Sequence, residues 1–412
     1  MNASRREMLK VGFGGLSVVT IGASMPMFVS KFAMADAPPA SAALSNDNIL
    51  VVVQLSGGND GLNTVIPITN DDYYKVRPVL GLKGEKLHKL NDDLSLNAGM
   101  TAFKQLFDDG KLAIINGCGY PEPNRSHFES MAIWHTASLS GGAHGGWLGH
   151  YLDHALRGTA SQIGAVNIGP ELPQALVNDG PPVPSIQSIY DFQVKTDGST
   201  NFDAKLEEQI IAELNAVQES SPAMQFLSRQ ATNAIISSEH IRKLTSGYTP
   251  DAEYPRGLGD QLKLIAQIIN GNFGTRLYYC DIGGFDTHAN QAASHENLLK
   301  QVSESISAFM KDMTAKGYAD KITVMCFSEF GRRIAQNDSN GTDHGAAGPM
   351  FVIGNKVKGG LYGEYPSLTE TEKGDLKHTV DFRRVYTTLL DRWLNANAAK
   401  VLGNKFEPVA FL

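Results

Sequence analysis

The chain has 412 residues, 42% hydrophobic and 19% charged, with a formal net charge of −7. That profile fits one large globular domain or two smaller ones and excludes a disordered polymer. Acids and bases are spread along the chain and no basic run is longer than Ser-Arg-Arg or Phe-Arg-Arg, which excludes nucleic acid as the expected partner.

The N-terminus reads as an address. Ser4-Arg5-Arg6-Glu7-Met8-Leu9-Lys10 is a twin-arginine signature, a weakly apolar stretch runs from Val11 to Ser30, and Ala33-Met34-Ala35 is a small-residue cleavage site. An ordinary secretory signal or a membrane anchor is the competing reading. The stretch is barely bilayer-length, however, and is diluted by Gly12, Gly14, Gly15, Gly22 and Pro26. The expectation is a periplasmic or secreted protein delivered by the twin-arginine export machinery, with no stable membrane span after cleavage. Loss of residues 1–35 removes four basic residues (Arg5, Arg6, Lys10, Lys31) and one acid (Glu7), moving the net charge from −7 to −10. Residues 36–47, rich in Pro, Ala and Ser, read as a flexible leader, and 48–412 as a single domain.

Ile49–Leu55 is a continuous β-branched run, the pattern of a strand buried on both faces. It breaks into Ser56-Gly57-Gly58-Asn59-Asp60-Gly61, a tight turn. A helix is expected over Asn97–Phe107, a second strand over Lys111–Ile115, and a Gly/Pro loop over Gly117–Asn124. Ser126 then sits where a helix cap belongs, with Glu129 completing a capping box. Helix Trp147–Leu156 and strand Gln162–Ile168 follow. Apolar positions recur at helical spacing through Leu206–Val217, Met224–Leu244 and Leu258–Ile269, which predicts a helical insertion over about 200–270. Strand 276–280, helix 291–315, strands 321–327 and 350–353 and an amphipathic helix Asp381–Leu394 complete the chain. Strands alternating with helices predict an α/β fold, a largely parallel sheet with helices on both faces. The three cysteines, Cys118, Cys280 and Cys326, lack metal-type spacing and read as buried, unpaired thiols.

Four places share one pattern, a buried strand followed by a Gly-bearing loop with ionisable or nucleophilic residues. They are Asp60, Ser126, Asp286 with His288, and Glu329, with Asp343-His344 further along the last loop. In a parallel sheet such strand ends line one edge, where distant residues converge. Asp, Glu and His are the ligands of Zn, Mn, Ca or Mg, so one or two divalent ions are expected there. Two ions would clamp an oxyanion for in-line displacement. Ser126 is the best placed nucleophile, and Arg125, Arg332 or Arg333 would neutralise anionic oxygens by bidentate contact.

Several of these residues have plainer readings. Asp60 can simply shape its turn, Ser126 can simply cap, Glu329 can pair with Arg332 or Arg333, and Asp343 can orient His344. His150 and His154 are four apart on an expected helix but nothing near them supports a site, and His127, His135 and His144 are left unranked.

The segments Leu-Val-Val-Val-Gln-Leu-Ser-Gly-Gly-Asn-Asp60-Gly-Leu-Asn-Thr, Arg125-Ser126-His-Phe, Gly-Gly-Phe-Asp286-Thr-His288, Phe-Ser-Glu329-Phe-Gly-Arg332 and Gly-Thr-Asp343-His344-Gly resemble a family of bacterial exported proteins, domain-of-unknown-function family 1501. That family is distantly similar to sulfatases, alkaline phosphatases and cofactor-independent phosphoglycerate mutases. The resemblance covers residues 48–396 and implies an alkaline-phosphatase-like three-layer sandwich. It implies further that Asp60 is the early metal-binding acid, Ser126 the nucleophile, and Asp286 with His288 the ligands of a first metal. Glu329 falls where a paired Asp belongs and His344 is the last His. Three features depart from the superfamily pattern. Ser56-Gly57 stand where strand one would end in acids, Phe330 takes the place of a paired His, and Asp286 and His288 are two apart rather than four.

Two functions follow as expectations. One is a metal-dependent hydrolase of phosphate or sulfate esters, acting on a small or polymeric anionic substrate. The alternative is a non-catalytic envelope protein whose degenerate hydrolase fold binds a polymer or a partner protein.

Overall fold

Strand β1 (Ile49–Leu55) is buried along almost its whole length, as its β-branched sequence requires. Its residues alternate between two cores. Ile49, Val51, Val53 and Leu55 face one and Leu50 and Val52 the other, so both faces of the sheet are covered. Each such Val or Leu side chain contributes roughly 1.5–3 kcal/mol by leaving water. The structure is a computed structural model and describes residues 47–412 except 85–86, 141–144, 156–163, 180–182, 188–246 and 273. Most of the expected helical insertion thus lies outside the described residues.

The remaining strands of the main sheet are β2 (Leu112–Gly119), β3 (Ala165–Ile168), β4 (Ser185–Ile186), β5 (Leu277–Ile282), β6 (Ile322–Phe327), β7 (Gly348–Ile353), β8 (Gly360–Tyr362) and β9 (Val380–Asp381). Their spatial order is β8-β2-β7-β6-β1-β5-β3-β4, with β9 also on β2. β5 and β6 flank β1 in parallel, and β7 alone runs against its neighbours β2 and β6. The expected α/β class with a largely parallel sheet is therefore present. Strand β2 extends four residues past its expected end because Asn116–Gly119 are buried and β9 pairs with Cys118 and Gly119.

The helices are α1 (Asp71–Val76), α2 (Thr101–Asp108), α3 (His127–Thr136), α4 (Trp147–Ala155), α5 (Leu258–Asn270), α6 (Gln291–Ala315), α7 (Phe382–Thr388) and α8 (Ala398–Leu402). Apolar residues of α2, α5 and α6 fill the core against one sheet face, and those of α3, α4, α7 and α8 fill the other. In α6, Leu299, Val302, Ile306, Phe309, Met310 and Met313 recur at three- and four-residue spacing and are all buried. The closing helix is shorter than expected, since α7 passes into a π turn over Leu389–Trp393. The three cysteines are free and buried, as their apolar surroundings predict. No helix among the described residues is long and apolar enough to cross a membrane.

Candidate metal centre

Parallel strands β1, β2, β5 and β6 end on one edge, and that topology brings their loops together. The loop after β6 is held by a short antiparallel bridge. Gly331 donates its N–H to the Ala346 carbonyl at 2.7 Å, Gly345 to the Gly331 carbonyl at 2.9 Å, and Arg333 to the Asp343 carbonyl at 2.9 Å. His344 is thereby set opposite Arg332.

Arg332 is 1% exposed and acts as a staple, not as the anion clamp expected from sequence. Its guanidinium donates to the carbonyls of Gly58 (2.8 Å), Thr342 (2.7 Å), Phe285 (3.0 Å) and Gly57, and to Asp286 Oδ1 (2.6 Å). Three loops thus share one cation. Close approach of backbone is needed for this, and Gly57 allows it. Its φ is +119° and a Cβ there would lie 2.4 Å from the Asp286 nitrogen.

Asp286 Oδ1 is the meeting point. His288 Nε2 lies 3.0 Å from it, His344 Nε2 3.1 Å and His127 Nε2 3.5 Å. His288 Nε2 and His344 Nε2 are 2.9 Å apart. Each imidazole is held at its other nitrogen. His127 Nδ1 is 2.7 Å from Glu329 Oε1, His288 Nδ1 3.1 Å from Asp343 Oδ1, and His344 Nδ1 2.8 Å from the Arg125 carbonyl. Carboxylates and carbonyls accept, so in each neutral ring the proton sits on Nδ1 and the Nε2 lone pair faces Asp286.

Partial burial would raise the Asp286 carboxyl, but the hydrogen bond and charge of Arg332 outweigh it and hold it at about 2. Asp286 is therefore an anion at neutral pH. The hydrogen bond to Glu329 raises the affinity of His127 for a proton. Lone pairs and a carboxylate oxygen this close repel one another unless positive charge is shared among them. His127 Nε2 is also shielded from solvent and has no hydrogen-bond partner. These features fit a divalent cation held by Asp286, His127, His288 and His344.

The other expected site residues fall elsewhere. Asp60 is fully buried and pairs with Arg77 at 2.6 Å, with Gln291 donating to the same oxygen. Those partners make it half of a buried ion pair, apart from the carboxylate on which the imidazoles converge. Glu329 is 1% exposed and has both oxygens engaged, Oε1 by the Gly57 N–H and His127 and Oε2 by the Ser328 hydroxyl. It orients His127 and pairs with neither Arg332 nor Arg333. Asp343 orients His288, not His344. Arg125 is tied to buried Asp375, with Nε at 2.7 Å, and Arg333 Nε lies 3.8 Å from the same carboxylate.

Ser126 takes the N-cap position of α3, but the capping box does not form. Its hydroxyl makes no cap hydrogen bond and its own N–H is bound by Asn124 Oδ1. Phe330, in the place of a paired His, packs its ring 4.9 Å from those of His127 and His344 and walls one side of the cluster. Sequence reasoning did not rank His127. The available signal was its place beside Ser126 at the start of a helix facing the same edge.

Residues 47–405 match the family described as protein of unknown function (DUF1501). The chain belongs to this family. No curated protein matches it in sequence. Among solved structures, this DUF1501 member is similar to the PsFucS1 sulfatase from Pseudoalteromonas sp., at 11% identity over 93% of this chain and 72% of that one, with a TM-score of 0.39. It is also similar to a mutant of the alkaline phosphatase PafA, at 12% identity over 69% and 63% of the two chains and a TM-score of 0.32. A 2-O GAG sulfatase is a third likeness, at 10% identity, 87% and 75% coverage and a TM-score of 0.34.

Proposed function

We propose that this protein is an exported, metal-dependent hydrolase of phosphate or sulfate esters. The observation that carries the reading is the convergence of three oriented imidazoles and one ionised carboxylate at the carboxyl edge of the sheet. A divalent ion bound there would supply Lewis-acid polarisation of an ester oxygen. The chain's own groups divide the remaining work. His127, His288, His344 and Asp286 would hold the ion, Glu329, Asp343 and the Arg125 carbonyl fix the rings, and Phe330 keeps water from one side. Ser126, directly before His127 and free of a capping bond, is the hydroxyl available for attack. The twin-arginine signature supports export, since that pathway carries folded protein.

One observation favours the second reading, a non-catalytic envelope protein that binds a polymer or partner. Arg125 and Arg332 are both committed to internal partners, so neither guanidinium is free to clamp an anion. Turnover decides between the two. The full chain is assayed on phosphomonoester, phosphodiester and sulfate-ester model substrates with added Zn or Mn. The hydrolase reading expects turnover that falls at least about 100-fold in Asp286→Ala and Ser126→Ala. A metal-loaded, folded protein that turns over none of these substrates leaves the binding protein as the reading.

A further inference from the structure

We infer that the centre is built for a single imidazole-seeking transition ion of the Zn2+ class, with His127 as one of its ligands, and that it discriminates against Mg2+ and Ca2+. The inference rests on the proposed function only in placing the site, and it narrows the four ions the sequence left open.

Three of the four converging donors are nitrogens. Imidazole suits Zn, Cu, Fe and Ni, whereas Ca2+ takes six to eight oxygens and Mg2+ an octahedral oxygen shell that keeps several waters. The nearby acids are drawn toward other partners. Both Glu329 oxygens are engaged, and Asp343 Oδ1 is shared by His288 and Asn337. Asp60 is locked to Arg77, and Asp375 to Arg125. Charge points the same way. Arg332 neutralises much of the only carboxylate in the cluster, which weakens the purely electrostatic attraction that hard ions depend on. Phe330 closes one side with carbon where Mg2+ would need water.

The site is also set in advance. The groups that turn the three rings come from three places, the loop after β6, the residues just before α3 and the bridge at 343–346, so the lone pairs are aimed before any ion arrives. The number of ions follows from the same count. Among the described residues, His127, Asp286 and His344 place ligand atoms within 4.8 Å of one another, and His288 Nε2 lies 3.0 Å from Asp286 Oδ1 and 2.9 Å from His344 Nε2, so all four donors crowd one position.

The test is titration of the chelator-stripped full chain with Zn2+, Mg2+ and Ca2+ by calorimetry, with elemental analysis after dialysis. One Zn2+ per chain is expected, bound at least about 1,000-fold more tightly than Mg2+ or Ca2+ and not displaced by either at millimolar concentration. His127→Ala should weaken Zn2+ binding by more than about 100-fold and Glu329→Gln by about 10–100-fold. Thermal unfolding reports whether each variant is folded, and Glu329→Gln serves should His127→Ala fail to fold.

Mg2+ or Ca2+ binding as tight as Zn2+, two ions per chain, or unchanged Zn2+ binding in folded His127→Ala or Glu329→Gln would each overturn the inference. Its failure is separable from that of the hydrolase reading. One tightly held Zn2+ without ester hydrolysis refutes the hydrolase alone, and hydrolysis supported by Mg2+ or Ca2+ but not Zn2+ refutes the ion assignment alone.

Discussion

Asp60 Oδ2 and Arg77 Nη1 lie 2.6 Å apart with neither side chain exposed. Arg77 spends its other donors on the carbonyls of Arg333 and Ile334 and on Asn63 Oδ1, so the pair fixes the loop that carries Arg332. Removing one partner strands a buried charge. Asp60→Leu or Arg77→Met alone should destabilise the fold by about 3 kcal/mol or more. The double variant Asp60→Leu/Arg77→Met should lose clearly less than the two single losses added together. Urea unfolding of the four proteins measures the coupling, and strict additivity would show that the pair is not acting as a unit.

Acid stability should fail earlier than carboxylates alone would dictate. Burial lowers both His135 and His295 to about 4, below the ordinary value. For His295, Asp60 pulls upward while Arg77 and Arg332 push down, and burial dominates. For His135, Glu329 pulls upward against the burial. The unfolded chain binds these protons near pH 6.5 and the native chain does not, so stability falls as pH drops from about 6.5 to about 4. At pH 5 each histidine should cost about 2 kcal/mol relative to pH 8. His135→Gln should flatten the dependence of the urea midpoint on pH over that window, and an unaltered slope would count against the assignment.

Asp60 acts at lower pH. Burial would raise its carboxyl, but the charge and hydrogen bond of Arg77 outweigh that and lower it. Its contribution is present above the ordinary carboxylate value and is lost as pH falls through the still lower native one. In Asp60→Asn the stability lost below about pH 4 should shrink, while the change between about pH 6.5 and 5 should persist.

Gly57 is the position where a single methyl group should damage the centre from outside it. Alanine there adds left-handed strain and a Cβ 2.4 Å from the Asp286 nitrogen, so the β1 and β5 loops must part. A loss of about 1–3 kcal/mol in stability is expected, with weakened metal binding. Gly84, whose φ is +108° but whose Cβ would meet nothing within 4 Å, is the control. Gly84→Ala should cost stability by strain alone and leave metal binding unchanged. Equal metal binding in folded Gly57→Ala would argue against this packing.

Export can be tested independently of the site. Replacing Arg5 and Arg6 by Lys should leave uncleaved precursor in the cytoplasm, detected by fractionation and the mass of the N-terminal fragment. Continued appearance of the shortened chain outside the cytoplasm would rule out the twin-arginine route.

Much of the architecture was legible because strand and helix signals are local. The run Ile49–Leu55 states its double-sided burial in its own composition, and the helical spacing of Gln291–Ala315 needs no partner to be seen. Glycine-rich loops after buried strands likewise marked the edge where Asp286, His288, Glu329 and His344 gather. The roles within that edge were another matter. Whether a carboxylate meets an ion, an arginine or an imidazole depends on which side chain a distant loop presents to it. Asp60 was claimed by Arg77, Glu329 by His127, and Arg125 by Asp375. His127 gained its place only because α3 starts beside the β6 loop. Periodicity fixes secondary structure within a few residues of chain, whereas charge pairing across 202 or 250 residues is decided by packing.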